Sequence, residues 1–513
     1  MINEGDGPLH KRGHSPIGPF YDEGVRPLRW IVAAAMASLL LPQSVLAKVL
    51  IPLEPCRISD MDGLTSTEAS CGKLSVPEDP DAPDGKRIEL AVAIVPAVAT
   101  ESKPDPLFLI AGGPGQGSIE SYAPLLGAFS GIRRERDLVL VDQRGTGSSN
   151  RLDCDMPEDS LEGGEVQPAA LKSLASECLA KLKAQPQFYT TSVAVRDLDA
   201  VRAALGYATV NLFGGSYGTR VAQHYARRYP EHTRTVVLDG VVPPSLSLIP
   251  EIAIQSQHAL DGVFERCAAD AACNSRFPAL PAQFAKLDAT LRKGPVAATL
   301  ADPVTGAPRR IEVTRSHLVT MARMLVYSPW TASLIPLLVH EAATNGNYAP
   351  LAAQAEMAGD DLERMIAMGM HNSVVCAEDA PRFTGAVDRK ALEATAIGPI
   401  MLDGMEAMCS VWPRGPADKD FAQPLDSAVP ALLLSGEFDP ATPASYGALA
   451  AKGFRNALHL VIPGQGHGQE QSPCVQKLLR DFIEAGTPKG LDTGCVSTIK
   501  PAPFFLSFSG SAP

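Results

Sequence analysis

The sequence predicts an α/β fold in which helices cover both faces of a mostly parallel sheet. Short, continuous apolar runs, typical of strands buried on both faces, occur before residue 241 and again after residue 429. Segments with helical periodicity separate these runs, and this alternation favours parallel pairing through crossover connections. Between residues 242 and 428 helical periodicity dominates, which predicts a helical cap inserted between two parts of the core.

The composition of the 513-residue chain narrows the class of protein. Hydrophobic residues make up 45% and charged residues 20%, which excludes wholesale disorder and a polytopic membrane protein. The net charge of -12 argues against a nucleic-acid partner, because phosphate binding needs a basic surface. The length allows one large core with a substantial insertion, or two domains.

Residues 1–47 have the features of an N-terminal extension that ends in a secretory signal. Arg26 and Arg29 precede the apolar run 30–41, and Val45-Leu-Ala47 ends in a small residue of the kind that signal peptidase accepts. The run is shorter than the roughly 20 apolar residues that span a bilayer, which disfavours the alternative of an uncleaved anchor. We therefore expect export to the periplasm or the medium, without stable membrane insertion after cleavage.

The ten cysteines, an even number, indicate an oxidising compartment. Pairing in sequence order would close local excursions between predicted core elements, although the sequence alone does not fix the connectivity. The expected pairs are Cys56 with Cys71, Cys154 with Cys178, Cys267 with Cys273, Cys376 with Cys409, and Cys474 with Cys495. Zinc is the alternative, but the chain has neither Cys-x-x-Cys nor His-Glu-x-x-His, so neither a metal nor another cofactor is expected.

The predicted core occupies residues 48–241 and 429–513. Residues 87–95 alternate as in a half-buried antiparallel strand of an opening hairpin. Buried strands are predicted at 106–110, 137–142, 235–240, 431–434 and 458–462, a strand followed by a helix within 209–230, and further helices at 171–182, 197–205, 252–268, 317–327 and 351–367.

The stretch 209–230 passes from an apolar segment through Gly-x-Ser-x-Gly into an amphipathic helix. Gly214 and Gly218 flank Ser216, where a sharp strand-to-helix turn would bring backbone segments close together and expose the serine. The N-terminus of the helix would place free N–H groups and a positive dipole end beneath the serine oxygen. Ser216 is therefore the candidate nucleophile, with a structural glycine turn as the alternative.

The predicted strand 106–110 ends in Ala111-Gly-Gly-Pro-Gly115, a tight backbone loop. Glycines without a Cβ would let backbone N–H groups approach an oxyanion, so Gly113 is one candidate donor of an oxyanion hole. The second candidate is the N–H of Tyr217, directly after the candidate nucleophile. A plain glycine turn is the alternative interpretation of this loop.

Two late buried strands each deliver a polar residue on the loop that follows. The chain order Ser216, Asp439, His467 is the order of α/β-hydrolase triads. In such a triad His467 would take the serine proton, and Asp439 would fix the histidine tautomer. Glu437 is the rival acid on the same loop, whereas His459 alternates within the preceding strand and is interpreted as structural.

Two further groups are interpreted as structural. Asp142 and Arg144 follow a predicted strand, where they would pair and brace the neighbouring loops. Met365, Met368 and Met370 are interpreted as helix core, because methionine mostly fills gaps between packed side chains. Lining of a substrate pocket is the alternative for the methionines.

Together these motifs resemble α/β-hydrolases of the prolyl aminopeptidase and tripeptidyl aminopeptidase group over most of the chain. The resemblance rests on motifs in the family's order: Gly112-Gly-Pro-Gly115, Asp142-Gln-Arg-Gly-Thr-Gly147, Gly214-Gly-Ser-Tyr-Gly218, Gly436-Glu-Phe-Asp-Pro-Ala-Thr-Pro443 and Gly466-His-Gly468. The segment Cys267-Ala-Ala-Asp-Ala-Ala-Cys273 and the C-terminal segment through Cys474 and Cys495 are similar to the secreted tripeptidyl branch.

The resemblance implies an α/β-hydrolase fold and cleavage of residues from a free peptide N-terminus through an acyl-enzyme intermediate. It also implies that carboxylates of the cap bind the substrate ammonium. Glu378 and Asp379 are the candidates for that role, with a solvated turn as the alternative. Many prolyl aminopeptidases carry His before Gly-Gly-Pro-Gly, whereas this chain has Ala111, which argues against proline specificity.

A secreted serine exopeptidase that acts on peptides is the leading interpretation. A carboxylesterase or another acyl hydrolase would use the same triad on a small acyl substrate, and a non-catalytic binding protein would keep only the fold. The requirement for a free amine separates a peptidase from an esterase, and the intact set Ser216, Asp439 and His467 argues against a binding protein. The sequence defines neither the side-chain preference nor the oligomeric state.

Overall fold

The computed structural model describes residues 51–154, 168–302, 305–383 and 388–511. The predicted extension and signal, residues 1–47, lie outside the described residues. The strands are β1 (Glu54–Ser59), β2 (Ser66–Pro77), β3 (Arg87–Val95), β4 (Leu107–Ile110), β5 (Leu138–Val141), β6 (Val210–Gly215), β7 (Thr233–Asp239), β8 (Val296–Ala301), β9 (Pro308–Val313), β10 (Ala431–Gly436), β11 (Ala457–Ile462), β12 (Phe505–Ser507) and β13 (Gly510–Ser511).

The helices of the same residues are α1 (Ser118–Tyr122), α2 (Ser130–Arg133), α3 (Pro168–Lys181), α4 (Thr191–Ala204), α5 (Tyr217–Arg228), α6 (Ile249–Ala269), α7 (Ala271–Arg276), α8 (Leu280–Leu291), α9 (Arg315–Leu325), α10 (Pro329–Ala332), α11 (Ile335–Asn345), α12 (Ala349–Met365), α13 (Met368–Val374), α14 (Arg389–Glu393), α15 (Ile400–Cys409), α16 (Ala444–Ala451) and α17 (Pro473–Ala485). One π-helical turn, Val375–Asp379, continues α13. None of these helices has both the length and the apolar character needed to cross a membrane.

Nine of the described strands form one sheet in the order β1-β2-β3-β5-β4-β6-β7-β10-β11. The strands from β5 to β11 in this order pair in parallel, and β1 to β3 add an antiparallel edge. The predicted mostly parallel sheet with flanking helices is therefore confirmed. The register sets Gly215 of β6 opposite Asp239 of β7, so the loops after both strands leave the sheet at the same edge.

Alternating side chains of the central strands build a core on each face of the sheet. Phe108 and Ile110 of β4 pack in the cluster that contains α4 and α5, whereas Leu107 and Leu109 pack in the cluster that contains α17. Each fully buried side chain of this kind contributes about 1.5–3 kcal/mol. Burial on both faces is the reason that these strands read as continuous apolar runs.

The segment between β7 and β10, residues 240–430, is called the insertion. It contains α6 to α15 and a hydrophobic cluster of its own, with Phe264, Leu287 and Met321 among the buried members. It also contains the antiparallel hairpin β8–β9, which the predicted helical cap did not include. Most hairpin side chains are at least partly exposed, so the apolar signal on which strand prediction depends is weak.

The cysteines are joined in the five pairs expected from their order: Cys56–Cys71, Cys154–Cys178, Cys267–Cys273, Cys376–Cys409 and Cys474–Cys495. The bond Cys376–Cys409 links the π-helical turn to the end of α15. A disulfide restricts the unfolded chain, and loss of a native one typically costs about 2–5 kcal/mol. The insertion and both parts of the core are therefore cross-linked locally.

Candidate active site

The turn between β6 and α5 holds Ser216 in a strained conformation. Its backbone has φ 53° and ψ -124°, a region that non-glycine residues rarely occupy, and its N–H donates to the carbonyl oxygen of Asp239 at 2.8 Å. A Cβ on Gly214 would lie 2.4 Å from the carbonyl oxygen of Gly218, and a Cβ on Gly218 would lie 2.2 Å from that of Ile110. Close backbone packing therefore requires both glycines of Gly-x-Ser-x-Gly.

The loop after β4 lies against this turn. A Cβ on Gly112 would lie 2.8 Å from the Cβ of Ser216. Gly113 has φ 100°, which favours glycine, and its N–H has no hydrogen-bond acceptor in the described part of the chain. The N–H of Tyr217 occupies the first position of α5, where a helix leaves its N–H groups without an intrahelical partner. Both N–H groups are thus near Ser216.

His467 and Asp439 share a hydrogen bond of 2.8 Å between Nδ1 and Oδ2. The Oδ1 atom of Asp439 accepts from the N–H groups of Ala441 and Thr442 at 2.9 and 2.8 Å, and Oδ2 accepts from the Thr442 hydroxyl at 2.8 Å. The Asp439 side chain is fully buried, so these donors fix its orientation. The rival acid Glu437 is exposed and accepts from a backbone N–H of the neighbouring loop.

The surroundings of His467 raise its pKa. Burial lowers that pKa, but the charge of Asp439, the hydrogen bond between them and the charge of Glu470 outweigh burial. The imidazole ring packs edge-on against the ring of Tyr327, with ring centroids 5.3 Å apart. The backbone N–H of His467 donates to the backbone carbonyl of Tyr327 at 2.7 Å. Ser216 Oγ and His467 Nε2 form no hydrogen bond in the described structure, and such contacts often tighten only when substrate binds.

Ser216, Gly113 and His467 line one cavity of about 670 Å³. Ligand pockets typically have volumes of roughly 300–1,000 Å³. The wall is mostly apolar, and the insertion contributes methionines to it: Met324, Met365, Met368, Met401, Met405 and Met408. Met365 and Met368 thus line the pocket, as the alternative interpretation anticipated, although Met368 also packs against a buried cluster; Met370 is buried in the core beside the sheet.

Comparison with known proteins shows where this architecture belongs. Residues 105–469 match the sequence profile of the alpha/beta hydrolase fold. The chain belongs to the α/β-hydrolase family. This hydrolase is 30% identical over 468 residues to serine protease Hip1 of Mycobacterium tuberculosis, a match that covers 84% of this chain and 88% of that protein.

Two further relatives differ in the activity that their names state. Tripeptidyl aminopeptidase of Streptomyces lividans is 34% identical over 191 residues, which is 34% of this chain and 36% of that protein. Carboxylesterase B of Mycobacterium tuberculosis is 28% identical over 468 residues, with 84% and 87% coverage. The expected resemblance to aminopeptidases of the family is confirmed, and the chain is a serine hydrolase. The relatives include both peptidases and an esterase.

The two carboxylates expected to bind a substrate ammonium are already engaged in this hydrolase. Glu378 lies outside the cavity wall, and its Oε1 and Oε2 accept from the N–H and the hydroxyl of Thr191 at 2.7 and 2.9 Å. Asp379 reaches the cavity, but its Oδ1 accepts from Arg220 at 3.0 Å and Arg382 at 3.3 Å. Burial raises the pKa of Glu378 to about 7. Glu378 therefore does not fit the ammonium-binding role. The π-helical turn that contains both acids instead connects the insertion to α4 through Thr191 and to α5 through Arg220.

In the part of the hydrolase that the structure describes, Asp142 and Arg144 do not form the expected ion pair. Arg144 instead binds Asp197 through two hydrogen bonds of 2.6 and 2.9 Å. Asp142 accepts from the N–H groups of Ile119 and Ser148, both at 2.9 Å. Each side chain braces the neighbouring loops, but through these other partners and not through the expected pair.

The cavity of the hydrolase contains polar groups that the motifs do not reveal. Asp239 at the end of β7 and Glu470 shortly after His467 line it, as do Asn372 and Arg323 of the insertion. Asp239 Oδ1, Arg323 Nε and both polar side-chain atoms of Asn372 are buried without a hydrogen-bond partner in the described part of the chain. The sequence contained one signal for Asp239, which is an acid at the end of a buried parallel strand, the edge where α/β proteins bind ligands. No three or more described His, Cys, Asp or Glu side chains are grouped to hold a metal ion.

Proposed function

We propose that this chain is an exported serine exopeptidase that removes residues from the free N-terminus of peptides through an acyl-enzyme intermediate. The observation that carries the proposal is the His467 ring, held by Asp439 and facing the same cavity as the strained Ser216. Similarity to a serine protease over 84% of the chain supports a peptide bond as the bond that is cleaved.

In the proposed reaction Ser216 Oγ attacks the carbonyl carbon while His467 Nε2 takes the hydroxyl proton and then gives it to the leaving amine. Asp439 accepts from Nδ1–H and stabilises the imidazolium that forms. The N–H groups of Gly113 and Tyr217 donate to the oxyanion. Water, activated by the same histidine, then attacks the acyl-enzyme, so the N-terminal fragment leaves and the serine hydroxyl is restored.

Export is the second part of the proposal. All ten cysteines form disulfides, which supports an oxidising compartment. The proposed signal within residues 1–47 would direct the chain there and would be removed from the mature protein. The proposed substrate is a peptide, with no nucleic acid and no cofactor involved.

A carboxylesterase is the second candidate function, and two observations favour it. The cavity wall is mostly apolar, as an acyl chain would require, and carboxylesterase B is similar over 84% of the chain. The same serine and histidine would serve both reactions, since acyl transfer to serine is common to amides and esters. A binding protein that merely keeps the fold would not need a histidine oriented by Asp439.

The test is hydrolysis of aminoacyl and tripeptidyl p-nitroanilides with a free amine by the mature protein. N-acetylated p-nitroanilides and p-nitrophenyl esters are measured beside them. Ser216→Ala should lower kcat by roughly 10⁴- to 10⁶-fold on every substrate. Ser435→Ala is the matched control, because Ser435 lies in β10 and bonds to His459 at 3.0 Å outside the cavity wall.

Cleavage of free-amine amides that is lost on acetylation and in Ser216→Ala would support the exopeptidase, and the fragment released would give its type. Cleavage of esters alone would refute the peptidase and leave the carboxylesterase. Full activity in Ser216→Ala would refute the serine mechanism for both functions.

A further inference from the structure

A pair of carboxyl groups lies in the cavity beside the candidate nucleophile. Asp239 ends β7, and Glu470 belongs to the loop that carries His467. Both line the cavity, and neither forms an ion pair with a lysine or arginine in the described part of the chain. Acidic side chains of this kind normally have a cationic partner when they are buried.

Asp239 lies on the cavity wall, and one oxygen of its carboxyl group faces only the acid Glu470. Asp239 is 2% exposed, and its Oδ2 accepts from the N–H of Gln469 at 2.7 Å. Its Oδ1 is buried and has no hydrogen-bond donor. Glu470 lies within hydrogen-bonding reach, and burial together with the Glu470 charge raises the pKa of Asp239 well above its ordinary value. The two carboxyl groups therefore repel each other when both are ionised. A cation with N–H donors would offset this repulsion and satisfy their oxygen atoms.

The other acid of the cavity is different. Asp379 is neutralised by Arg220 and Arg382, so it offers little net attraction to a cation. Arg323 and His371 also line the cavity, and burial lowers the pKa of His371, which keeps that ring neutral. Among the described acids of the cavity wall, Asp239 and Glu470 are therefore the ones without an arginine or lysine partner.

The position of the pair suits a group close to the scissile bond. The Asp239 carbonyl accepts from the Ser216 N–H at 2.8 Å, and adjacent strands lie roughly 4.8 Å apart. A Cβ on the following Gly240 would lie 2.8 Å from Cε1 of His467. A cation held by the pair would therefore lie next to both Ser216 and His467.

We propose that Asp239 and Glu470 form the site that binds the α-ammonium group of the substrate's N-terminus. This inference rests on the proposed exopeptidase function and replaces the acids of the π-helical turn in that role. The charge of the bound ammonium lowers the pKa of Asp239, so this carboxyl group releases its proton to solvent and the ammonium donates to both carboxylates. A peptide with a blocked amine can neither neutralise the pair nor donate to it.

The test uses the mature protein with p-nitrophenyl acetate as the reporter substrate, so it does not require peptidase activity. L-leucinamide and N-acetyl-L-leucinamide are compared as competitive inhibitors of ester hydrolysis. In the wild type the free amine should bind roughly 10- to 100-fold more tightly, the factor expected for charge-assisted hydrogen bonds. Glu470→Gln and Asp239→Asn should each reduce this preference about 10-fold or more.

Glu437→Gln is the matched control, because Glu437 is an exposed acid outside the cavity wall, and it should keep the wild-type preference. If Asp239→Asn does not fold, the half-buried Glu470 still provides the test. Equal inhibition of the wild type by both amides would overturn the inference, as would an unchanged preference in Glu470→Gln. A structural role would weaken both inhibitors alike and leave their ratio unchanged. If the preference depends on Glu470 but no peptide is cleaved, the exopeptidase proposal fails and the ammonium site stands.

Discussion

Replacement of Asp439 by asparagine tests how the candidate triad is held. Asparagine keeps an oxygen opposite the N–H groups of Ala441 and Thr442, because its NH₂ group would clash with those donors. The NH₂ group then faces the Thr442 hydroxyl and His467 Nδ1 and donates to Nδ1, so the histidine proton lies on Nε2 and His467 can no longer accept the Ser216 proton there. The loss of the competent tautomer and of the carboxylate charge should lower kcat by roughly 10²- to 10⁴-fold, which corresponds to about 3–5 kcal/mol of activation free energy.

The assay is the pH dependence of kcat/KM on whichever substrate the wild type hydrolyses best. The charge of Asp439 raises the pKa of His467, and the general base must be neutral, so activity rises with pH through that pKa. Asp439→Asn should therefore lower the plateau and also move the acidic limb to lower pH. A folded variant that keeps more than about a tenth of the wild-type activity would refute the assignment. An equal loss in Glu437→Gln would indicate that the loop, and not Asp439, is responsible.

Three further predictions concern packing around the site. Gly218→Ala puts a Cβ 2.2 Å from the Ile110 carbonyl oxygen, so the free energy of unfolding in urea should fall by about 1–3 kcal/mol or more. Arg220→Met removes the cation beside two buried carboxylates and should cost about 3–5 kcal/mol in the same measurement, whereas unchanged stability would contradict a buried ion cluster. Gly112→Ala puts a Cβ 2.8 Å from that of Ser216, so kcat should fall much more than stability, and an unaltered kcat would be inconsistent with that contact.

The sheet could be predicted from the sequence because burial on both faces leaves a strong local pattern. The strand predicted at 106–110 is β4 (Leu107–Ile110), and the one predicted at 458–462 is β11 (Ala457–Ile462). The hairpin β8–β9 escaped prediction because its strands are short and its outward positions include Ala297 and Ala301, so the contrast between apolar and polar faces is weak.

Candidate residues could be found where a motif imposes backbone geometry. Ser216 is such a case. A Cβ on either flanking glycine would lie 2.2 or 2.4 Å from a backbone oxygen, so this turn requires the glycines that Gly-x-Ser-x-Gly specifies. Glu378 is the opposite case, because its engagement by Thr191 depends on how the insertion packs on α4. The approach of Asp239 to Glu470 is likewise set by tertiary structure, and each acid alone is unremarkable in sequence.

The insertion does more than cover the site, because its backbone is bonded to the loops that carry the chemistry. Ala367 donates to the Gly115 carbonyl at 3.0 Å, and the Tyr327 carbonyl accepts from the His467 N–H at 2.7 Å. Displacement of these segments would therefore shift the oxyanion loop and the histidine together with the pocket wall. Since misplacement of catalytic groups by about 1 Å can cost 10²-fold in rate, changes in the insertion should alter kcat as well as KM. Substrate selection and catalytic geometry are for this reason coupled. Substitutions in the pocket wall that are not accompanied by a compensating change in these two hydrogen bonds would alter substrate specificity and lower kcat.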